Sequence, residues 1–257
     1  MGSIATDLYL DLLKKSITNT LYSAEPDGGN DNQLQFVQDF IRHYINGAAI
    51  SMLPMSRLDN LQYCIADVID KRVPGDFIET GVWRGGTTIF MRASLKAYGV
   101  ADRRVWVADS FQGLPEPDAE KFPIEASVHR GSVMKNAYNH FAASLDEVKH
   151  NFLAFGMLDD QVQFLPGWFK DTLATAPISK LAILRLDGDY YESTMDGLNN
   201  LYHKISPGGY VIVDDYGQDT WTYCRQAVND FRAEHRIDEP MLKVDGSCYY
   251  WRRRQFA

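Results

Sequence analysis

The spacing of hydrophobic positions changes near residue 72, and this change predicts two kinds of structure. Before it, apolar residues recur at intervals of three and four, which is typical of amphipathic helices. The predicted helices span residues 7–22, 34–45 and 55–71, with a polar, glycine-rich break at 25–33. The first part of the chain is therefore expected to be helical.

After this point, short apolar runs alternate with helical patterns. The apolar runs predict five strands, Asp76–Glu79, Val105–Ala108, Val162–Leu165, Leu181–Leu186 and Tyr210–Val213. Helical patterns cover residues 87–98, 144–155, 169–175, 192–204 and 219–235. Strands that are apolar throughout and alternate with helices indicate a parallel sheet covered on both faces.

The end of the chain refines this fold class. Met241–Val244 and Cys248–Trp251 are apolar runs joined by a turn containing Asp245-Gly246, a pair that favours a hairpin. A parallel sheet that ends in an antiparallel hairpin predicts an α/β fold with the doubly wound, Rossmann-like sheet of class I methyltransferases. We expect one domain over residues 1–257, in which the aperiodic segment 115–143 is a substrate lid loop.

Composition excludes several classes of partner. The net charge is −8, with 34 acidic against 26 basic residues, which argues against binding to nucleic acid. No apolar run approaches the roughly 20 residues that span a bilayer, so no membrane partner is expected. The three cysteines have no metal-site spacing and the chain opens with no signal-peptide pattern, so a cytoplasmic location is expected.

The loop after the first predicted strand carries the signature of a nucleotide-like cofactor. Its glycines, including Gly81, allow a tight turn close to a ligand, but the spacing disfavours a dinucleotide and excludes a P-loop. Glu79 would repel a pyrophosphate and attract the ammonium group of S-adenosylmethionine. Asp109 ends the second strand, where a carboxylate can accept both ribose hydroxyls. We therefore predict S-adenosylmethionine as the cofactor.

Four aspartates follow the next two strands of the predicted sheet. Asp187 and Asp189 follow the fourth strand, and Asp214 and Asp215 follow the fifth. These oxygens favour Mg²⁺, or alternatively Mn²⁺ or Ca²⁺, over softer metals. The alternative is that they cap helices or face water. Our hypothesis is that Asp189, Asp214 and Asp215 ligate the metal while Asp187 accepts the proton of an attacking hydroxyl.

The sequence also resembles the macrocin O-methyltransferase family from about Leu8 to Arg252. The motifs that carry the resemblance are Pro74–Gly86, Val107–Pro115, Leu165–Thr172, Asp187–Asp189 and Asp214–Tyr216. The resemblance implies a Mg²⁺- and S-adenosylmethionine-dependent enzyme of antibiotic biosynthesis that methylates a deoxysugar hydroxyl. Its expected partner is thus a small-molecule glycoside.

The resemblance also implies roles for particular residues. Asp187 resembles the catalytic base, and Asp189, Asp214 and Asp215 resemble the metal ligands. The residues that resemble cofactor contacts are Ser51, Met52, Glu79, Gly81, Asp109 and Ser110. Residues 1–54 would form a helical lid that supports a homodimer or higher homo-oligomer, and residues 55–257 the catalytic core.

Two other functions remain open at this stage. A catechol or phenol O-methyltransferase would use the same acidic residues with a phenol as acceptor. A non-catalytic scaffold would bind S-adenosylmethionine without turnover. The four aspartates argue against a scaffold, because such a protein has no need of a cluster of like charges.

Overall fold

The computed structural model describes residues 3–22, 41–45, 47–130, 141–217 and 222–254. Within these ranges the strands are β1 Asp76–Thr80, β2 Val105–Asp109, β3 Val162–Pro166, β4 Leu181–Leu186, β5 Ile205–Val213, β6 Leu242–Lys243 and β7 Tyr249–Arg252. They form one sheet in the order β3-β2-β1-β4-β5-β7-β6.

The direction of the strands confirms the predicted fold class. The neighbouring pairs from β3 to β5 are parallel, whereas β7 runs antiparallel to β5 and β6 antiparallel to β7. The strand order reverses around β1 and β4, and ligands of doubly wound sheets bind at such a point, beyond the carboxyl ends of the strands. The predicted loop and the acidic residues both lie at this edge.

Helices precede and separate the strands in the described ranges. They are α1 Ile4–Ile17, α2 Met55–Asp70, α3 Gly86–Ala97, α4 Pro123–Arg130, α5 Leu145–Ala154, α6 Phe169–Thr172, α7 Tyr191–Leu201 and α8 Thr222–Glu234. Ile41–Ile45 form a π-helical turn, and Tyr202–Lys204 form a 3₁₀ turn.

Two hydrophobic cores lie on opposite faces of the sheet. Phe77 of β1 belongs to the core that also contains buried residues of α1, α2, α3 and α5. Its neighbour Ile78 belongs to the second core, together with residues of α7 and α8. Successive side chains of a strand point to opposite faces, so apolar residues at both positions require helices on both sides.

Several boundaries differ from those predicted. Helix α1 begins at Ile4 because the side chain of Ser3 accepts a hydrogen bond from the backbone N–H of Thr6 and caps the helix. Strand β5 begins at Ile205, although the following Pro207-Gly208-Gly209 is typical of a turn. Segment 115–143 contains α4, and its residues 131–140 lie outside the described ranges, as do residues 34–40 of the second predicted helix.

The outward face of α1 is apolar. Ile4, Leu8 and Leu12 follow one another at intervals of four and are all exposed. The predicted homo-oligomer would bury this face in an interface between subunits. The oligomeric state stays a prediction, as does the division of the chain at residue 54. Among the described residues, no helix has the length and hydropathy needed to cross a membrane.

Candidate active site

The glycine-containing loop after β1 lies directly against the end of β4. Gly81 has a φ of 88°, and a Cβ atom added there would lie 1.8 Å from the carbonyl oxygen of Asp187. Only a residue without a side chain allows this approach. The loop that was predicted to hold the cofactor is therefore fixed next to the predicted acidic cluster by backbone contact.

Asp109 holds this loop to the end of β2. Its carboxylate accepts hydrogen bonds from the backbone N–H groups of Val82 at 2.7 Å and Phe111 at 2.8 Å. Burial raises the pKa of Asp109, and these hydrogen bonds oppose that rise. The hydroxyl of the next residue, Ser110, donates to the carbonyl oxygen of Gly113. Contacts of Asp109 and Ser110 with a cofactor stay predictions.

The segment around Ser51 reaches the same loop from a distant part of the chain. The carbonyl oxygen of Ile50 accepts a hydrogen bond from the N–H of Gly86, and the hydroxyl oxygens of Ser51 and Thr87 lie 3.4 Å apart. Ser51 is buried there, and Met52 is half-buried against the first core. The structure thus brings the predicted contacts Ser51 and Met52 to the beginning of α3.

Three of the four aspartates form a compact group. Asp187, Asp214 and Asp215 each present one carboxylate oxygen, and these oxygens lie within 4.8 Å of one another. Asp189 is not a member of this group. The chain leaves β4 at Leu186, and Asp189 has a φ of 59°. Side chains two residues apart point to the same face only while the backbone is extended. The left-handed conformation of Asp189 breaks this alternation, so its side chain does not follow that of Asp187.

Two arginines contact the acidic group, and neither was assigned a role from the sequence. Arg185 is buried and its guanidinium donates to Glu79 Oε1 at 2.5 Å, to Asp187 Oδ2 at 2.7 Å and to Asp214 Oδ1. Arg57 of α2 donates to Asp214 Oδ2 at 2.5 Å. A basic residue inside the apolar strand of residues 181–186 was a usable signal for Arg185, because a buried charge requires partners.

The carboxyl groups of this edge still repel one another: Asp214 and Asp215 are buried, and Asp187 and Asp189 are half-buried. Burial and the nearby Asp187 raise the pKa of Asp189 well above its usual value, and burial and Asp189 do the same for Asp215. Burial also raises the pKa of Asp187, to about 6, although Arg185 opposes the shift. A divalent cation would relieve this repulsion.

The polar groups of this edge fit the predicted cofactor and metal. Glu79 Oε2 is buried and has no hydrogen-bond partner within the described ranges, and burial raises the pKa of Glu79 to about 8. An ammonium group would satisfy this oxygen. The all-oxygen set of Asp187, Asp214 and Asp215 suits a hard divalent cation, and the residues present therefore fit both groups.

A comparison with protein families decides the relationship of this chain to known enzymes. The model of the family described as Macrocin-O-methyltransferase (TylF) matches residues 45–253. The chain belongs to this family. It is therefore an O-methyltransferase, as the resemblance of its motifs implied.

Individual relatives support this assignment over nearly the whole chain. It is 48% identical to the 8-demethyl-8-(2,3-dimethoxy-alpha-L-rhamnosyl)-tetracenomycin-C 4'-O-methyltransferase of Streptomyces olivaceus, covering 98% of this chain and 95% of the relative. It is 44% identical to the Mycinamicin III 3''-O-methyltransferase of Micromonospora griseorubida, covering 98% of each. The solved structure of the O-methyltransferase NovP superposes with a TM-score of 0.83 at 43% identity, covering 97% of this chain and 100% of NovP.

Proposed function

We propose that this enzyme transfers a methyl group from S-adenosylmethionine to a sugar hydroxyl of a glycosylated natural product, in a Mg²⁺-dependent reaction. The observation that carries the proposal is the group of Asp187, Asp214 and Asp215 beside the Gly81 loop. The names of the two relatives describe methylation of a rhamnosyl-tetracenomycin at position 4' and of mycinamicin III at position 3'', which supports a glycoside acceptor.

The geometry favours an exchange of two roles relative to the sequence-based hypothesis. Asp187, Asp214 and Asp215 would hold the cation, and the neighbouring Asp189 would accept the proton of the attacking hydroxyl. Burial and the charge of Asp187 raise the pKa of Asp189, which makes its carboxylate a stronger base than an ordinary aspartate. When bound, Mg²⁺ supplies positive charge that makes an alcohol easier to deprotonate.

The remaining residues would bind and align the methyl donor. Glu79 offers an unpaired oxygen to its ammonium group, and Gly81 lets the backbone approach closely. Ser51 and Met52 would close the pocket from the side of α3, and Asp109 with Ser110 would shape its far end. Each of these contacts is a proposal for this chain.

The function is tested by incubating the enzyme with methyl-labelled S-adenosylmethionine, Mg²⁺ and either glycosides or planar catechols. We expect the label in the sugar after acid hydrolysis of the glycoside product. Label found only in the catechol ring would favour a phenol methyltransferase. If S-adenosylhomocysteine binds but no acceptor is labelled, the scaffold interpretation would replace an active enzyme.

The two assignments of the aspartates predict different results for the same two variants. Asp189→Asn is expected to lower kcat by about 100-fold or more while Mg²⁺ affinity stays close to that of the wild type. Asp187→Asn is expected to weaken Mg²⁺ binding by about 10-fold or more. Calorimetric titration with Mg²⁺ and steady-state kinetics on both variants separate them. The reverse result would restore the sequence-based assignment.

Mg²⁺ binding is expected to strengthen as the pH rises. Because the pKa values of the proposed ligands Asp187 and Asp215 are raised, to about 6 for Asp187, the metal-free site binds protons more tightly than ordinary carboxylates do, and a cation must displace these protons. Each displaced proton makes the affinity rise by about tenfold per pH unit below the raised pKa. Titration calorimetry at pH 5.5 and 7.5, on either side of the pKa of Asp187, measures this, and equal affinities would contradict it.

A further inference from the structure

Helix α4 packs against the beginning of α7, immediately after Asp189. The carboxylate of Glu125 on α4 accepts a hydrogen bond from the backbone N–H of Tyr191 at 2.9 Å. One turn later, His129 Nδ1 lies 2.8 Å from the hydroxyl of Tyr190. Phe122 stacks on the ring of Tyr191 with centroids 4.9 Å apart. Helix α4 therefore contacts both residues that follow Asp189.

Glu125 supplies a helix cap that α7 does not provide for itself. The residue before α7 is Tyr190, whose side chain makes no capping hydrogen bond to the helix. The first N–H groups of a helix need an external acceptor, and a carboxylate also interacts favourably with the positive end of the helix dipole. Glu125 meets both needs from a different helix.

The carboxylate of Glu125 is buried, and the free-energy cost of its burial must be compensated. Only 2% of the residue is exposed, and a buried carboxylate is unfavourable without hydrogen-bond donors. It also stands near enough to Asp189 to add to the negative potential there. The turn it supports contains Asp189 in a left-handed conformation, which non-glycine residues adopt only when the surrounding structure holds them.

We propose that Glu125 is a positioning residue: by capping α7 from α4, it fixes the turn that presents Asp189 to the acceptor hydroxyl. This inference rests on the proposed function, in which Asp189 accepts the proton. It assigns a role in the reaction to Glu125, a residue of the segment 115–143, although Glu125 itself transfers no proton. It also links that segment to the acidic edge of the sheet through one hydrogen bond.

The first test compares three variants in methyl-transfer kinetics with the full-length enzyme. Glu125→Ala removes the acceptor and is expected to lower kcat by about 10-fold or more, because small displacements of a reacting group are costly. Glu125→Gln retains an acceptor oxygen and is expected to stay within about 3-fold of wild type. Glu120→Ala, an exposed residue just before α4, is the matched control and should leave kcat unchanged.

Two further measurements distinguish positioning from general loss of structure. S-adenosylhomocysteine affinity, measured by calorimetry, is expected to stay within about 2-fold of wild type in Glu125→Ala, because the cofactor loop follows β1. Hydrogen exchange of the peptide that contains Tyr191 is expected to accelerate by about 10-fold in Glu125→Ala and not in Glu120→Ala.

The possible results separate the two proposals. Unchanged kcat in Glu125→Ala, or a loss that Glu125→Gln does not rescue and that accompanies weaker S-adenosylhomocysteine binding, overturns the positioning role. Unchanged exchange at Tyr191 overturns the cap itself. If the wild-type enzyme transfers no methyl group to any acceptor, the proposed function fails, while the exchange measurement still accepts or rejects Glu125 as the cap of α7.

Discussion

Chelation with EDTA is expected to lower kcat for methyl transfer by about 10³-fold or more, while S-adenosylhomocysteine still binds. The expectation rests on Asp187, Asp214 and Asp215, whose carboxylate oxygens lie within 4.8 Å of one another. An alcohol keeps its proton at neutral pH and is a poor nucleophile without help. Initial rates with and without the chelator measure the effect.

Two controls make this result specific. Mg²⁺ added in excess of the chelator should restore the rate, which excludes irreversible damage. Asp215→Asn should reproduce the loss at saturating Mg²⁺, whereas Asp102→Asn, at an exposed position before β2, should not. Full turnover of the chelated enzyme would remove the metal from the proposed function and leave the acidic group as a purely structural network.

Arg185→Met is expected to lower the free energy of unfolding by about 3–5 kcal/mol. The guanidinium of Arg185 is buried and donates to Glu79, Asp187 and Asp214. Its removal would leave these carboxyl groups in a poorly solvated site without their shared positive charge. For a chain of this size the loss corresponds to a decrease in Tm of about 10 °C, which thermal denaturation detects.

The matched control for this variant is Arg104→Met, because Arg104 is exposed immediately before β2. It should change Tm by no more than about 2 °C. Adding Glu79→Gln to Arg185→Met should recover part of the stability, since one of the uncompensated charges is then removed. If Arg185→Met has the same Tm as the wild type, the acidic group is stabilised by something other than this arginine.

The fold was predictable because its signal is local. Residues such as Phe77 and Ile78 are apolar at successive positions of one strand, and this pattern alone requires helices on both faces of the sheet. Strand β5 was predicted too short because its first residues include Pro207 and Gly208. They fall where the register of β5 against β4 shifts, between Ile205 and Tyr210, and no local pattern records that the strand continues through this irregularity.

The site was predictable only as far as strand ends determine it. The acidic residues after β4 and β5 had to meet at one edge of the sheet, and three of them do. The position of the Asp189 side chain depends on the left-handed backbone conformation of Asp189 itself, which no feature of the sequence predicts. Arg57 and Glu125 reach the site from α2 and α4, and such contacts between distant segments arise from packing.

The backbone contact between Gly81 and the carbonyl of Asp187 has a consequence for protein engineering. It makes the glycine-containing loop after β1 and the acidic strand end a single rigid unit, with no side chain between them that could be repacked. Under the proposed function, changes in acceptor preference would therefore be sought outside this unit. The proposed acceptor could then be exchanged while the alignment of the methyl donor and the acidic strand end stays intact.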